Sequence, residues 1–240
     1  MYFILIAVYL QYALTYNICM LYIVPTPIGN LGDMTFRAVE VLKSVDVIIA
    51  ENPTHTLKLL NYFKLPKKPL KQFADHNEHK VVASLLKECE NKVCALVSDA
   101  GTPGISDPGF RLVRACVQAG IKVESLPGAC AATVALAGSG LPTDRFLFLG
   151  FLGKTEHKVR QAIGQAIEIE ATAVAYESPQ RLIKSLTYIA KYFPTCHVVL
   201  ARELTKLHEE YIRGTPQEAL KIILDKPSVK GEIVLLVSVK

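Results

Sequence analysis

A glycine-rich loop with two carboxylates is the part of the sequence most suited to chemistry. It runs from Ser98 to Gly109 and reads SDAGTPGISDPG. Glycine lets the backbone approach a ligand closely, and Asp99 and Asp107 add acceptors for hydroxyl or ammonium groups. An acidic loop is unsuited to phosphate, and the sequence has no G-x-x-x-x-G-K-[ST] or G-x-G-x-x-G motif. The loop favours a cationic or zwitterionic ligand such as S-adenosylmethionine, with a tight turn and helix cap as an equal alternative.

Two further loops offer similar chemistry after predicted strands. Thr26–Asp33 (TPIGNLGD) contributes Gly29 for close backbone approach and Asn30 as a polar contact. Leu126–Cys130 (LPGAC) is a proline-glycine turn before a helix of small residues. Because helix N-termini favour carboxylates, this turn could hold the amino-acid end of such a cofactor. A loop that only redirects the chain is an equally good interpretation.

Two segments in the second half of the chain combine carboxylates with cations. They are Tyr176–Arg181 (YESPQR) and Ala201–Lys206 (ARELTK), each at the end of a predicted strand. Such groups are candidates for a site with shifted pKa values. An Arg–Glu network that joins two loops is an equally good interpretation.

Metal-dependent and hydrolytic chemistry have little support. Asp75–His79 (DHNEH) holds several metal-binding side chains, but consecutive residues rarely converge on one ion, and we expect no metal site. His55 is a candidate general base near Glu51, although a solvated histidine at a helix start is commoner. No G-x-S-x-G segment is present, so no serine nucleophile is predicted.

The elements that must position these loops alternate along the chain. Short apolar runs such as Lys92–Asp99 (KVCALVSD) and Ala171–Glu177 (ATAVAYE) predict buried strands, and the stretches between them predict helices. This order indicates an α/β fold with a parallel or mixed sheet covered on both faces. Ligands of such sheets bind outside the carboxyl ends of the strands. Helix starts are predicted at Asp107-Pro108, Ser178-Pro179 and Thr215-Pro216.

Length and composition fit two modest domains. The chain has 240 residues, 50% of them hydrophobic. The break at Gly138–Asp144 (GSGLPTD) predicts one α/β domain over residues 20–140 and another over 141–240. Six cysteines without a C-x-x-C pair indicate buried thiols in a reducing compartment. The net charge of +5 permits a polyanionic partner without requiring one.

The apolar N-terminal stretch has two interpretations. Residues 1–24 contain no charged side chain, and a membrane span needs about 20 mostly apolar residues. Gln11, Thr15 and Asn17 interrupt the stretch, and no lysine or arginine flanks it. We expect residues 1–19 to be an extension outside the catalytic fold, with a membrane anchor or signal as the alternative.

Six motifs occur together and in a characteristic order. They are TPIGNLGD, SDAGTPGISDPG, LPGACAA, GLPTDRFLFLGFL, YESPQRL and ARELTK. On these motifs the sequence resembles the ribosomal RNA small subunit methyltransferase I family, from Met20 to the chain end. That family belongs to the tetrapyrrole-methylase-like (class III) S-adenosylmethionine-dependent methyltransferases.

The resemblance implies two α/β domains with the cofactor cleft between them, a homodimer and a cytoplasmic location. The implied reaction is methyl transfer from S-adenosylmethionine to the ribose 2′-hydroxyl of a cytidine in the decoding region of 16S rRNA. Glu51, Glu203 or Lys206 would assist removal of the proton, Lys206 only if burial lowers its pKa. The implied cofactor contacts are Pro27, Gly29, Asn30, Asp99, Gly101, Pro103, Ser106, Asp107, Pro127, Gly128, Tyr176 and Glu177. The implied contacts with RNA or the small ribosomal subunit are Arg37, His55, Lys58, Lys154, Lys158, Arg160 and Lys206.

Two segments depart from the family pattern. After the second strand the family reads A-E-D-T-R-H-T-R-K, whereas Ala50–Lys58 reads AENPTHTLK. An acid and two arginines are replaced, which bears on RNA affinity because arginine is a natural phosphate ligand. LPGACAA stands in place of the usual LPGPSAA.

Other interpretations stay open. A methyltransferase of a small tetrapyrrole would share the cofactor loops, and a roomy apolar cleft without a basic rim would favour it. A protein that binds the cofactor or RNA without catalysis, or a membrane-tethered interaction protein, is the alternative from outside the enzyme class.

Overall fold

The computed structural model describes residues 19–74 and 77–239. These residues form two compact units. Unit 1 holds residues 19–27 and 31–129, and unit 2 holds residues 28–30 and 130–239. Most of the expected N-terminal extension, and Asp75 and His76 of the DHNEH segment, lie outside the described residues. Among the helices of the described ranges, none is long and apolar enough to cross a membrane.

Unit 1 is a parallel sheet with helices on both faces. The strand order is β3-β2-β4-β1-β5, and every pair is parallel. A short 3₁₀ turn, Leu31–Asp33, follows β1. The strands are β1 (Met20–Ile23), β2 (Val47–Ala50), β3 (Leu70–Gln72), β4 (Val93–Val97) and β5 (Lys122–Ser125), and the helices are α1 (Phe36–Ser44), α2 (Pro53–Tyr62), α3 (Glu78–Cys89) and α4 (Phe110–Gln118).

Alternation along the central strands explains their continuous apolar sequence. Successive side chains of a strand point to opposite faces, so a sheet covered on both faces needs apolar residues throughout. Tyr22 and Ala95 pack with α1 in one core cluster, while Leu21 and Leu96 pack with α3 and α4 in the other. Three thiols, those of Cys89, Cys94 and Cys116, lie in the second cluster.

Unit 2 has a mixed sheet in the order β6-β7-β10-β8-β9. Only the β6 and β7 pair is parallel, and the other neighbours are antiparallel. The expected α/β class, with a parallel or mixed sheet, is therefore confirmed. The strands are β6 (Phe146–Phe151), β7 (Thr172–Glu177), β8 (His197–Arg202), β9 (Glu210–Gly214) and β10 (Ile233–Ser238), and the helices are α5 (Ala131–Ser139), α6 (Glu156–Glu168), α7 (Pro179–Tyr192) and α8 (Pro216–Leu224).

The core of unit 2 lies under three amphipathic helices. Side chains of α6, α7 and α8 pack on one face of the sheet, and Cys196 is buried among them. The small-residue helix α5 contacts β7, β8 and β10. It belongs to unit 2 for this reason, although the sequence break at Gly138–Asp144 suggested that it would end the first domain.

Two of the three predicted helix starts are found. Pro179 and Pro216 each occupy the first turn of a helix. Thr215 and Glu218 form a capping box, in which each side chain accepts from the backbone amide of the other residue. The prediction at Asp107-Pro108 is wrong, because α4 begins at Phe110 with Gly109 as its N-cap.

Candidate active site

The carboxyl ends of four adjacent parallel strands bring the predicted loops of unit 1 together. β2, β4, β1 and β5 are neighbours, so the loops that follow them leave the same edge of the sheet. Backbone hydrogen bonds continue beyond the strands: the Val24 amide donates to Leu96 O at 2.9 Å, and the Leu126 amide to Ile23 O at 3.0 Å. The predicted cofactor residues on these loops are Pro27, Asp99, Gly101, Pro103, Ser106, Asp107, Pro127 and Gly128.

The loops after β1 and β4 are joined to each other at Thr26. The amides of Thr26 and Gly101 each donate to the other residue's carbonyl, at 2.9 and 3.0 Å. The Thr26 hydroxyl also donates to Ser98 O at 3.2 Å. Gly101 has φ +83°, a left-handed conformation that glycine adopts without strain. The positive φ of this glycine thus allows the hydrogen-bonded bridge between the two loops.

The rest of the loop after β4 is compact and partly strained. A Cβ atom on Gly109 would lie 2.9 Å from the Gly104 nitrogen, so the loop folds back on its own glycine. Ser106 has φ +66°, and a non-glycine residue in this region costs about 1–3 kcal/mol. Asp107 stays in the loop rather than capping α4. The loop is therefore shaped by backbone geometry as well as by its side chains.

The loop after β5 packs against the loop after β1. A Cβ atom on Gly128 would lie 2.4 Å from Pro25 Cβ, closer than two such atoms can approach. The Thr102 hydroxyl donates to Ala129 O at 2.9 Å, which joins the same loop to the one after β4. Pro127 and Gly128 are exposed at this edge. Only a glycine allows the three loops to meet.

Asp99 carries an unsatisfied buried oxygen at the centre of this edge. Among the described residues, Asp99 Oδ1 is a buried side-chain atom that makes no hydrogen bond. His55 Nδ1 lies 3.5 Å from this oxygen. The Asp99 backbone amide donates to Glu51 Oε2 at 3.2 Å, so β2 and β4 present their acidic side chains together. A buried acceptor without a donor costs free energy until a ligand supplies one, which fits a hydroxyl or ammonium group.

The residues after β2 that differ from the family pattern form the start of α2. Asn52 is the N-cap of α2, and its side-chain oxygen accepts from the amides of Thr54 and His55 at 3.1 and 3.4 Å. Pro53 follows in the first turn, where its missing amide has no cost. Asn52 and Pro53 therefore fix the start of α2, and with it the position of His55 beside Asp99. Lys58 lies exposed one turn further along α2.

Gly29 and Asn30 lie in unit 2, against the loop after β8. The Asn30 amide donates to Thr205 Oγ1 at 3.0 Å. A Cβ atom on Gly29 would lie 2.6 Å from both Lys206 Cγ and Thr205 Oγ1. Glu203 and Thr205 both have positive φ, of +51° and +63°. Gly29 therefore has a packing reason to be glycine, independent of any ligand.

Lys206 is held as an ammonium ion by two carboxylates. Its Nζ lies 2.9 Å from Glu203 Oε1 and 2.9 Å from Glu232 Oε2. Burial by itself lowers the pKa of Lys206, but the hydrogen bonds to Glu203 and Glu232 outweigh burial, so the pKa is raised. The hydrogen bond from Lys206 lowers the pKa of Glu203. The condition under which Lys206 could accept a proton, a lowered pKa, is contradicted.

Glu177 lies at the end of β7 with its side chain fully buried. One carboxylate oxygen contacts the Arg181 guanidinium at 2.6 Å and accepts from the Ser178 amide at 2.7 Å. The other accepts from the Ser185 hydroxyl. Tyr176 packs edge-on against Phe151, with ring centroids 5.6 Å apart. The geometry favours the ion-pair interpretation of YESPQR, with Arg181 bound to the Leu152 carbonyl as well.

The basic residues expected to bind RNA have different surroundings. Arg37 is ion-paired with Glu124 in unit 1. Arg160 lies over the ring of Tyr192, 4.9 Å from its centroid. Lys154 is exposed and lines a pocket of unit 2. Of the expected RNA contacts, Lys154 and Lys158 both line this pocket.

The basic pocket of unit 2 was not predicted as a pocket. It has a volume of about 760 Å³ and lies where β6 leads into α6 and β7 into α7. Its lining consists of Phe151, Leu152, Gly153, Lys154, Thr155, Lys158, Ser178 and Arg181. An aromatic residue, a glycine and two lysines within eight positions were the sequence signal that could have identified it.

Comparison with known proteins identifies the family. The model of the tetrapyrrole (corrin/porphyrin) methylases matches residues 20–220. The chain is 50% identical over 222 residues to the ribosomal RNA small subunit methyltransferase I of Escherichia coli O157:H7, covering 90% of this chain and 77% of that protein. It is 44% identical over 223 residues to the protein of that name from Hydrogenobaculum sp. (strain Y04AAS1), covering 91% and 95%. The chain belongs to this methyltransferase family.

A solved structure shows the same fold at low sequence identity. Diphthine synthase superposes with a TM-score of 0.71 and 13% identity, covering 91% of this chain and 90% of that one. Methyltransferases of the tetrapyrrole methylase type use S-adenosylmethionine, which is therefore the cofactor. The unit 1 edge fits it, because the cofactor's hydroxyl and ammonium groups are donors of the kind that Asp99 Oδ1 lacks.

Proposed function

We propose that this chain transfers a methyl group to the ribose 2′-hydroxyl of a cytidine in the decoding region of 16S rRNA. The observation that carries the proposal is the match to relatives named ribosomal RNA small subunit methyltransferase I, at 44–50% identity over nine-tenths of the chain. The net charge of +5 is compatible with an RNA partner. The protein acts as a cytoplasmic homodimer on RNA of the small ribosomal subunit.

The cofactor is held by the loops at the unit 1 edge. Asp99 accepts hydrogen bonds from its polar hydrogens, and the turns at Gly101 and Gly128 allow close backbone approach. S-adenosylmethionine, when bound, supplies a methyl group activated by the positive charge on sulfur. Since the leaving group is already good, the protein has to orient the ribose hydroxyl and accept its proton.

We propose that the Glu51 carboxylate accepts the proton of the ribose 2′-hydroxyl. Glu203 is engaged by Lys206, and Lys206 is an ammonium ion with no free electron pair. Glu51 directly follows β2, and its Oε2 accepts from the Asp99 amide at the edge that carries the cofactor loops. As the new O–C bond forms, the methyl–sulfur bond breaks and S-adenosylhomocysteine is the leaving group. The 2′-O–H bond breaks in the same step, and its proton passes to the Glu51 carboxylate and then to water.

Methyl transfer to RNA tests the proposal. Small ribosomal subunits from cells lacking the gene are incubated with the protein and methyl-labelled S-adenosylmethionine, and nuclease fragments are analysed by mass spectrometry. We expect one 2′-O-methylcytidine in the decoding region. Label that enters a porphyrinogen instead of RNA would transfer the function to small tetrapyrroles. Cofactor binding without transfer to either acceptor would indicate a non-catalytic protein.

Replacement of Glu51 tests the proton acceptor. We expect Glu51→Gln to lower kcat by about 10²–10⁴-fold with little change in the KM for S-adenosylmethionine, because general-base catalysis acts in the transition state. Glu40→Gln, at an exposed position of α1, is the matched control. A raised KM for the cofactor with an unchanged kcat would make Glu51 a cofactor ligand instead.

A further inference from the structure

The basic pocket of unit 2 has the size of a nucleotide site. Its volume of about 760 Å³ falls within the range of roughly 300–1,000 Å³ typical of small-molecule pockets. All of its lining residues belong to unit 2, and none comes from the loops at the unit 1 edge. None of the lining residues is among those assigned to the cofactor or the proton, although Tyr176 and Glu177 contact Phe151 and Arg181 of the pocket wall.

Two lysines of the pocket have no carboxylate partner among the described residues. Lys154 precedes α6 and Lys158 lies in its first turn, and both are exposed. The carboxylate closest in sequence, Glu156, is instead engaged by Lys191 at 2.8 Å and by the Tyr192 hydroxyl. The hydrogen bond from Lys191 lowers the pKa of Glu156, so this acid stays charged and occupied. The lysines are left as uncompensated positive charge.

The charge of the pocket selects an anion. Arg181 adds a third cation, but its guanidinium is bound to Glu177, Ser178 Oγ and Leu152 O and so serves to fix the wall. The amides at the start of α6 add partial positive charge at the same place. S-adenosylmethionine carries a net positive charge, which the two lysines repel. A phosphate group is the complementary ligand.

An aromatic side chain stands beside the lysines. Phe151 ends β6 with 61% of its surface exposed, although large apolar side chains are usually covered. One edge contact with Tyr176 fixes the ring without covering it. An exposed aromatic ring next to lysines is the combination by which proteins bind single-stranded nucleic acid, with the base on the ring and the phosphate on the cations.

Gly153 allows Lys158 to reach the pocket. A Cβ atom at position 153 would lie 2.4 Å from Lys158 Cβ and 3.1 Å from its Cδ. The stem of the lysine therefore lies across the glycine, in space that any other residue would occupy. Gly153 therefore helps to place the ammonium group of Lys158 in the pocket.

We propose that the basic pocket binds a nucleotide of the substrate RNA strand other than the one that is methylated. Its phosphate is held by Lys154, Lys158 and the start of α6, and its base stacks on Phe151. The identity of the ligand as RNA rests on the proposed function. The pocket lets the enzyme recognise single-stranded RNA beyond the methylated nucleotide, independently of the cofactor.

The first test measures RNA affinity at several salt concentrations. The probe is a short fluorescein-labelled single-stranded RNA, and binding is followed by fluorescence anisotropy. We expect Lys154→Ala/Lys158→Ala to weaken binding at least tenfold and to reduce the slope of log K against log salt by about 0.7 for each lysine removed. Lys184→Ala/Lys221→Ala removes the same charge from exposed positions of α7 and α8 and should change the affinity less than about twofold.

The second test measures stacking. We expect Phe151→Ala to weaken RNA binding by about 5- to 100-fold. Phe151→Leu keeps apolar bulk without an aromatic face and should lose nearly as much. Phe146→Ala, at an exposed phenylalanine at the other end of β6, is the matched control. Thermal unfolding of each variant shows that the fold is retained.

Cofactor affinity separates the possible failures. Binding of S-adenosylhomocysteine, measured by calorimetry, should be unchanged in every pocket variant. Lost cofactor affinity with unchanged RNA affinity would assign the pocket to the cofactor and overturn the inference. Equal losses in the pocket and control pairs would reduce it to a general effect of charge. If the wild-type protein fails to methylate RNA, the proposed function is wrong. If it methylates RNA but the pocket variants bind RNA as tightly as the wild type, only the inference about the pocket is wrong.

Discussion

At the residue scale, the loops of the candidate active site depend on positions without room for a Cβ atom. Gly128 meets Pro25, Gly109 meets Gly104, and Gly29 meets Lys206. Each of these contacts joins segments that are distant in sequence or folds one loop onto itself. Substitution at such a glycine tests loop packing while leaving the polar groups of the site in place.

We expect Gly128→Ala to lower the free energy of unfolding by about 1–3 kcal/mol, because the new methyl group overlaps Pro25 and the loop must move. The KM for S-adenosylmethionine should rise in the same variant, since Pro127 and Gly128 belong to the proposed cofactor loops. Urea denaturation and steady-state kinetics measure the two effects.

Gly164→Ala is the control for a glycine in open surroundings. Its Cβ atom would meet only Phe193 Cζ, at an ordinary 3.8 Å, within α6. Alanine favours a helix over glycine, so stability should increase by about 0.5–1 kcal/mol. A loss of stability at position 164, or none at 128, would contradict the packing argument.

The ion pairs of Lys206 give unit 2 a pH-dependent stability. The pKa of Glu203 is lowered in the folded state, so its stabilisation is present at neutral pH and is lost as pH falls through the folded pKa. The pKa of Lys206 is raised, so its stabilisation is lost as pH rises through that value. We expect Lys206→Met to lower the free energy of unfolding at neutral pH, with a difference from wild type that shrinks below about pH 4.

Urea titrations over a series of pH values measure this difference. Lys184→Met, at an exposed lysine of α7, should give a small difference that does not vary with pH. A difference for Lys206→Met that persists in acid would show that the packing of the lysine stem on Gly29, rather than its charge, carries the effect.

Residue types predicted the unit 1 loops better than the unit 2 groups. Glycine, proline and aspartate have local meaning, so Asp99, Gly101 and Gly128 could be selected from short segments. Some partners of Glu177 and Lys206 could not, because they lie outside the YESPQR and ARELTK segments: Ser185 lies in α7, 8 positions after Glu177, and Glu232 lies 26 positions after Lys206. For this reason the sequence alone could not decide between a binding role and a structural role for Glu177 and Lys206.

At the element scale, continuously apolar strands were predictable, whereas two polar edge strands were not. The predicted segments Lys92–Asp99 and Ala171–Glu177 contain β4 and β7, because apolar residues run through most of each segment. β3 and β9 were missed, since each lies at the edge of its sheet and has several exposed or half-exposed residues. Edge strands need fewer apolar side chains, so their periodicity is weak.

The N-cap of α2 positions His55 beside Asp99. We expect Asn52→Ala to lower the free energy of unfolding by about 1 kcal/mol, because two backbone amides lose their acceptor. Asn52→Asp retains a capping oxygen and should be close to wild type. Thermal or urea unfolding measures stability, and kcat measures whether His55 and its helix still stand correctly beside Asp99. Equal stability of the alanine variant would contradict the capping role.

At the scale of the whole molecule, each unit has its own sheet and its own core. Two domains were expected from the chain length and the break at Gly138–Asp144. The assignment of α5 to unit 2 was not, because it depends on contacts with β7, β8 and β10 that no local sequence signal reports. A global unfolding curve can therefore combine two transitions.

Cofactor binding should stabilise the protein through the unit 1 loops. With S-adenosylhomocysteine at about a hundred times its Kd, the free energy of unfolding should increase by about 2.7 kcal/mol. Asp99→Asn should reduce the shift in Tm at the same ligand concentration, since the buried acceptor becomes neutral. Differential scanning calorimetry measures both, and an equal shift in the two proteins would remove Asp99 from the cofactor site.

The buried thiols can report on the opening of each unit separately. Hydrogen bonds with Cys116 and Cys94, and then burial, raise the pKa of the Cys89 thiol in unit 1, and burial raises that of Cys196 in unit 2. A protonated, covered thiol does not react with a maleimide until its core opens. Pulsed alkylation followed by peptide mass spectrometry would therefore time the opening of the two units separately, in one unmodified sample, and show which one a bound ligand closes.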